Sequence, residues 1–372
     1  MKNVKIVSTA ILSLSISLFI GCGEDRSQNP TDQLTPSGEI KKPWIYETAQ
    51  GLTMVENGFI YIPGGFDVDG DGIDENGFWL SKYEAKITNK DANLTKISDI
   101  RSFIVKNFKA YNSANKKFDQ NLTATDYLAT SATKIATLES KIAVFEQFGK
   151  VYNNVSPLEA LISLNDSQID GGYAITLPSE KQWMQIVKLI INNPKNWVDQ
   201  KIGESRLINT TGIKDFIIAN NILGVDKNIP IDYERNVTNL ANGVSEWTLG
   251  AINISDKFIG GDFLGKAEFN ELESAPTWWK PILKNQTIPL TSAFGVGKYH
   301  NGSSLNGTID VLEVTPYGTG EIDPYAIVAR GGSDSKDDKD LAGISAAKLT
   351  YGLGYKDITV GFRAASDYIK NY

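Results

Sequence analysis

The residues that most often carry chemistry are sparse in this chain of 372 residues. There is one cysteine, Cys22, and one histidine, His300. Cys22 closes Phe19-Ile20-Gly21-Cys22, where a small residue precedes a thiol suited to take a diacylglyceryl group, followed by palmitate on the freed amine. A lipidated Cys22 leaves the mature chain no thiol for a disulfide or for redox work. His300 lies in the loop Gly297-Lys298-Tyr299-His300-Asn301-Gly302, where a lone imidazole is no ligand set. No serine sits in a nucleophile elbow, and no Gly-rich phosphate loop occurs. Carboxylates are the exception. Asp67-Val68-Asp69-Gly70-Asp71-Gly72-Ile73-Asp74-Glu75 places acids at positions 1, 3 and 5 and Gly at 6, as calcium loops do. Position 7, Ile73, would offer its carbonyl, and Glu75 at position 9 would replace the glutamate absent at position 12, which is Phe78. The loop either holds calcium or is a solvated acidic hairpin tip.

These residues need elements to hold them. Residues 1–21 read as a lipoprotein signal peptide, with Lys2 and Lys5 ahead of an apolar run from Val7 to Ile20. That run is shorter than the roughly 20 residues a membrane-spanning helix needs. Residues 22–50 are polar and rich in Pro, Ser and Gly, a composition that cannot bury enough apolar surface to order itself, and read as a tether. Residues 51–369 form the globular part. Alternation predicts strands over 58–62 and 77–84. Helices are expected over 97–111 and 124–148, the second carrying Ile135, Leu138, Ile142 and Phe145 on one face. A further helix starts at Ser179, a capping residue, with Trp183, Ile186, Val187 and Ile190 as its apolar stripe. Beyond Asn196 the pattern is of loops and short strands. Trp79, Trp183 and Trp247 read as core.

Six ordered segments resemble the signatures of one family. They are Tyr61-Ile62-Pro63-Gly64-Gly65; Phe78-Trp79-Leu80-Ser81-Lys82-Tyr83-Glu84 with Thr88-Asn89; Val155-Ser156-Pro157-Leu158-Glu159-Ala160; Ile175-Thr176-Leu177-Pro178-Ser179-Glu180 with Trp183; Asn239-Leu240-Ala241-Asn242-Gly243-Val244-Ser245-Glu246-Trp247-Thr248; and Ala329-Arg330-Gly331-Gly332-Ser333 with Gly361-Phe362-Arg363-Ala364. Together they resemble the formylglycine-generating enzyme, or sulfatase-modifying factor, domain. The resemblance implies an α+β fold, a loop-rich relative of the C-type lectin fold, here with a helical insert at about 90–150.

The resemblance also implies a chemistry that the residues do not support. Formylglycine-generating members carry two C-terminal cysteines that bind copper. The stretch between Ser333 and Gly361 has neither Cys nor His, so no copper is expected. Iron-binding relatives use several histidines. What carries over is a calcium site at Asn239, Asn242, Val244 and Glu246, where carboxylate and carbonyl oxygens suit a hard cation. The alternative is a hydrogen-bonded turn without metal.

A formal charge of −7, more acidic once Lys2 and Lys5 leave with the signal, argues against nucleic acid as a partner. The expectation is therefore a lipoprotein of the cell envelope, with Gly23 permitting outer-membrane sorting. Its domain would bind a protein or glycan on a scaffold emptied of oxidase residues. The competing expectation is an enzyme of another type, built from carboxylates and from tyrosines such as Tyr317, Tyr325, Tyr351 and Tyr355.

Overall fold

The computed structural model describes residues 49–68, 72–112, 115, 117–122, 138–167, 169, 172–196, 200, 215–219, 235–240, 243–253, 325–331, 344 and 347–367. Cys22, His300, Asp69, Asp71, Asn242 and Tyr317 lie outside them, as does residue 334–340, the mixed-charge run near the C-terminal end.

Helix α1 (Ala49–Glu56) starts just ahead of the expected domain edge and feeds strand β1 (Phe59–Ile62) through Gly58. Gly58 has φ +81, and a Cβ there would lie 2.0 Å from the Phe145 carbonyl oxygen, so a side chain has no room. β1 pairs antiparallel with β2 (Phe78–Ser81), setting Tyr61 opposite Trp79 with ring centroids 5.4 Å apart. Both strands are buried along their whole length, so the hydrophobic alternation of a one-sided strand gives way to two-sided packing.

Strand β3 (Lys86–Asp91) follows, then helix α2 (Ile100–Asn107), whose N-cap is Asp99. Strands β4 (Lys109–Asn112) and β5 (Lys117–Asn121) form a hairpin, and β6 (Lys141–Val144) returns antiparallel to β3. Two sequence expectations change here. The helix expected over 97–111 is shorter, and its last part is β4. The helix expected over 124–148 is a strand at 141–144, while 123–137 lies outside the described residues. Among its described residues the segment at 90–150, expected as a helical insert, is mixed, and its hairpin extends the largest sheet among the described residues.

Helices α3 (Pro157–Asp166) and α4 (Glu180–Asn192) each open with a complete capping box, Ser156 with Glu159 and Ser179 with Gln182. The stripe expected on α4 is realised: Trp183, Ile186, Val187 and Ile190 are buried. Strands β7 (Asp215–Ala219) and β8 (Arg235–Thr238) make a separate antiparallel ladder. Strand β9 (Ser245–Asn253) is central to the largest sheet among the described residues. On one side it pairs with β10 (Tyr325–Arg330), which pairs with β11 (Ala347–Tyr351). On the other it meets β4, and β12 (Val360–Gly361) runs parallel to its start. β13 (Ala365–Asp367) then crosses to pair with β2, so the C-terminal segment ties the two sheets together.

Adjacent residues of β9 face opposite ways and reach different helices. Trp247 Nε1 donates to the Val155 carbonyl just before α3 at 2.9 Å, and the Thr248 hydroxyl donates to Glu180 Oε1 at the start of α4 at 2.6 Å. The class is α+β. Trp79, Trp183 and Trp247 are all core residues, as expected.

Gly331, one residue past β10, has φ +78, and a Cβ would lie 2.4 Å from the Leu240 carbonyl oxygen. Left-handed strain alone costs about 1–3 kcal/mol. Gly331→Ala is therefore expected to lower the urea midpoint by at least that equivalent. An unchanged midpoint would show that this close approach is absent.

Candidate functional site

Three charged residues of the resembling segments, Glu84, Glu246 and Arg363, converge inside the protein. Arg363, the residue between Phe362 and Ala364, has no exposed side-chain surface. Its Nε donates to Glu246 Oε1 at 2.8 Å, and a second guanidinium nitrogen pairs with the same oxygen. The third nitrogen, Nη1, donates to the Ser81 carbonyl at 2.9 Å, and Nη2 also donates to the Thr238 carbonyl at 2.9 Å. One guanidinium thus holds β9, the end of β2 and the end of β8 together.

Glu84 lies beside this pair and is almost wholly buried. Its Oε1 accepts the Val244 backbone N–H at 3.0 Å, and its Oε2 accepts the Asn239 amide at 3.2 Å. Gly243 must be glycine for the same reason: φ is +84, and a Cβ would lie 2.3 Å from Glu84 Oε1. Lys86 Nζ stands 4.0 Å from Glu84 Oε2. Asn239, Gly243 and Val244 therefore gather at one carboxylate, with Asn239 itself in the left-handed region at φ 60.

Burial, only partly offset by Arg363, pushes the Glu246 carboxyl up to about 7. Burial also raises Glu84, against the opposing pull of the Val244 N–H and Arg363, and burial lowers Lys86, against Glu84. Two acceptors stay unmatched. Glu246 Oε2 and Asn239 Oδ1 are buried and accept no hydrogen bond. Buried acceptors of that kind are uncommon and mark a missing donor or cation.

A second buried pair lies at the start of α4. Arg330 Nε donates to Glu180 Oε2 at 2.9 Å, and a second nitrogen of the same guanidinium completes the pair. Glu180 Oε1 takes the Thr248 hydroxyl, so each of its oxygens has a partner.

The expected calcium residues divide accordingly. Asn239, Val244 and Glu246 are brought to one place, and Asn242 lies outside the described residues. In the acidic loop, Asp67 Oδ2 accepts the Gly72 N–H at 2.7 Å, and Glu75 Oε2 accepts the Val68 N–H at 2.7 Å. Glu75 Oε1 pairs with Lys181 at 2.8 Å, and Lys188 Nζ donates to the Asp67 carbonyl at 2.9 Å. Helix α4 thus supplies positive charge to the loop, and its lysines offset part of the repulsion among the loop's carboxylates. Ile73 is exposed. Among the described residues no group of three or more His, Cys, Asp and Glu side chains could hold a metal by itself. The Asn239–Glu246 site would need backbone carbonyls as well.

Sequence reasoning missed Glu84 and Lys86 as members of this cluster, and Arg363 and Arg330 as ion-pair partners. The available signal was an arginine inside each of the apolar runs 325–330 and 360–365, since a charge placed there must bring a counter-charge.

Removing one partner of a buried pair costs about 3–5 kcal/mol, whereas replacing both by apolar groups is far milder. Arg363→Leu should therefore destabilise strongly, and Arg363→Leu with Glu246→Leu should recover much of the loss in urea denaturation. Additive losses would show the two residues to be uncoupled.

The pH dependence has a definite sign. A carboxyl raised from 4.5 to about 7 contributes stability that is fully present below 4.5 and is lost as pH rises through about 7. In EDTA, the wild-type melting midpoint should fall over that window relative to Glu246→Gln. Parallel profiles for the two proteins would rule the shift out.

No family model matches the chain, and no curated protein matches it.

Proposed function

We propose that this chain is a lipoprotein of the cell envelope, anchored through Cys22. Its domain is a formylglycine-generating-enzyme-like scaffold of the C-type-lectin kind that binds a protein or glycan. The observation that carries this reading is the mutual pairing of the motif residues. Thr248 serves Glu180, Glu180 serves Arg330, Glu246 serves Arg363, and Glu84 serves Asn239 and Val244. Conserving a fold, rather than turning over a substrate, accounts for each of these contacts. The chain offers no thiolate pair for copper, so oxidation of a sulfatase cysteine is not its reaction.

Calcium fits the turn. Glu246 Oε2 and Asn239 Oδ1 are two of the buried oxygens without a hydrogen bond among the described residues, and the carbonyls of Asn242 and Val244 would complete an oxygen set. A bound cation would clamp the 239–244 turn to β9 and neutralise the second carboxylate oxygen of Glu246. The acid–base enzyme is the second reading. What favours it is the raised pair Glu84 and Glu246 beside the lowered Lys86, a pattern that catalytic sites share. Against it, Glu246 and Arg363 have no exposed surface for a substrate to touch.

Two measurements test the proposal. The mature chain should carry a lipid-sized mass increment on Cys22 and partition into detergent, and Cys22→Ala should abolish both. The purified domain should contain calcium, and EDTA should lower its melting midpoint in the wild type but not in Glu246→Gln. A metal-free domain whose midpoint ignores millimolar calcium would remove the cation, and an unmodified Cys22 would remove the anchor.

A further inference from the structure

Two segments repeat one pattern in different surroundings: Asp91-Ala92-Asn93-Leu94-Thr95 and Glu234-Arg235-Asn236-Val237-Thr238. Each has the Asn-x-Thr pattern of a glycan acceptor, with a carboxylate two residues upstream that a cation on a transferase could pair with. Asp119-Gln120-Asn121-Leu122-Thr123 has the same pattern, but its threonine lies outside the described residues.

Burial separates the two. Asn236 is 7% exposed within β8, and the Thr238 hydroxyl is committed to the Lys82 carbonyl at 3.1 Å. Asn93 is exposed, in the turn that follows β3. Its Oδ1 accepts both the Thr95 N–H at 3.0 Å and the Thr95 hydroxyl at 2.6 Å. Those bonds fix the carboxamide by its oxygen, and Nδ2, the atom a sugar would join, takes part in neither. The backbone beneath is pinned, with the Ala92 N–H on the Ser140 carbonyl at 2.8 Å and the Asn93 N–H on Asp166 Oδ2 at 2.6 Å. Asp91 is exposed and, among the described residues, pairs with Lys141, a surface contact that another cation can displace.

We propose that Asn93 is an N-glycosylation site, modified by a lipid-linked oligosaccharide on the exported face of the membrane. The proposal rests on the export reading above and goes beyond it. Asn93 Nδ2 attacks C1 of the reducing-end sugar, and the C1–O bond to the polyprenyl diphosphate breaks. The diphosphate leaves with the electron pair, and Nδ2 gives one proton to a base of the transferase. The carboxylate of Asp91 docks the acceptor, and the hydroxyl of Thr95 holds the carboxamide in place.

The test uses the full chain, co-expressed with a bacterial single-subunit oligosaccharyltransferase and an undecaprenyl-diphosphate oligosaccharide. One form keeps residues 1–21; a second carries a heterologous cleavable export signal in their place. Intact mass and glycopeptide mapping should find one glycan increment on Asn93 and none on Asn236. The Asn93 increment should be lost in Asn93→Gln, in Thr95→Val and in Asp91→Ala, each of which should still melt cooperatively, with the midpoint lowered by no more than the loss of a cap or a surface pair. An unmodified Asn93 on the chain exported by the heterologous signal overturns the site, as does a glycan confined to Asn121 or Asn236. A native leader left uncleaved while the heterologous form is glycosylated sinks the export reading instead.

Discussion

Two guanidinium groups without solvent contact govern this structure. A buried cation loses its hydration, and the loss is offset only where carboxylate and carbonyl oxygens surround it closely. Arg330 meets that condition with Glu180, and Arg363 meets it with Glu246 and the carbonyls of Ser81 and Thr238. The partners are 150 and 117 residues apart in the chain. The C-terminal segment therefore has to return to the middle of the fold, beside β9 and then across to β2, before either charge is satisfied. A chain that stops short of that arrangement carries unpaired buried charge, so the pairs select one topology more than they add net stability.

The centre of the sheet shows how closely the two pairs are interleaved. Glu246 registers opposite Arg330 across the β9–β10 ladder and beside Gly361 of β12. Its carboxylate nevertheless goes to Arg363, and Arg330 reaches instead to the first turn of α4. Glycine is required where the surrounding backbone closes on these groups. At Gly243 the neighbour is a carboxylate oxygen of Glu84, and at Gly331 it is the Leu240 carbonyl. Gly243 thus closes on the segment that follows β2 and Leu240 on the residue after β10, while Asn239 takes the left-handed region because its short polar side chain tolerates it.

What could be read from the sequence was local. Ser179 and the apolar stripe of α4 lie within one helix, and the structure realises both. Ser156-Pro157-Leu158-Glu159 likewise opens a helix, because its capping box needs only four neighbouring residues. The reading failed where partners are distant. Ile142 and Phe145 fit one face of a helix, yet 141–144 pairs with β3 across the chain, and tertiary pairing overrode local periodicity. The cluster of Glu84, Lys86, Glu246 and Arg363 was illegible for the same reason, since four charges spread over most of the domain have no common period. The family-like segments did name Glu84, Glu246 and Arg363, but as marks of resemblance, without saying which residue meets which.

Desolvation also decides what remains open to the outside. Among the described residues the Asn239 amide and the Val244 N–H reach Glu84, and the leftover acceptor oxygens of Glu246 and Asn239 are buried. A cation or a proton can serve them; a bulky substrate cannot. At the opposite extreme, Asn93 has its oxygen occupied by Thr95 and its side chain in solvent. The same side-chain type therefore supports two different chemistries. An inward asparagine with an orphaned oxygen invites a small hard ligand, and an outward one with its oxygen taken presents its nitrogen to a large reagent. Burial, more than residue identity, determines which of the chain's polar groups can meet a partner of any size.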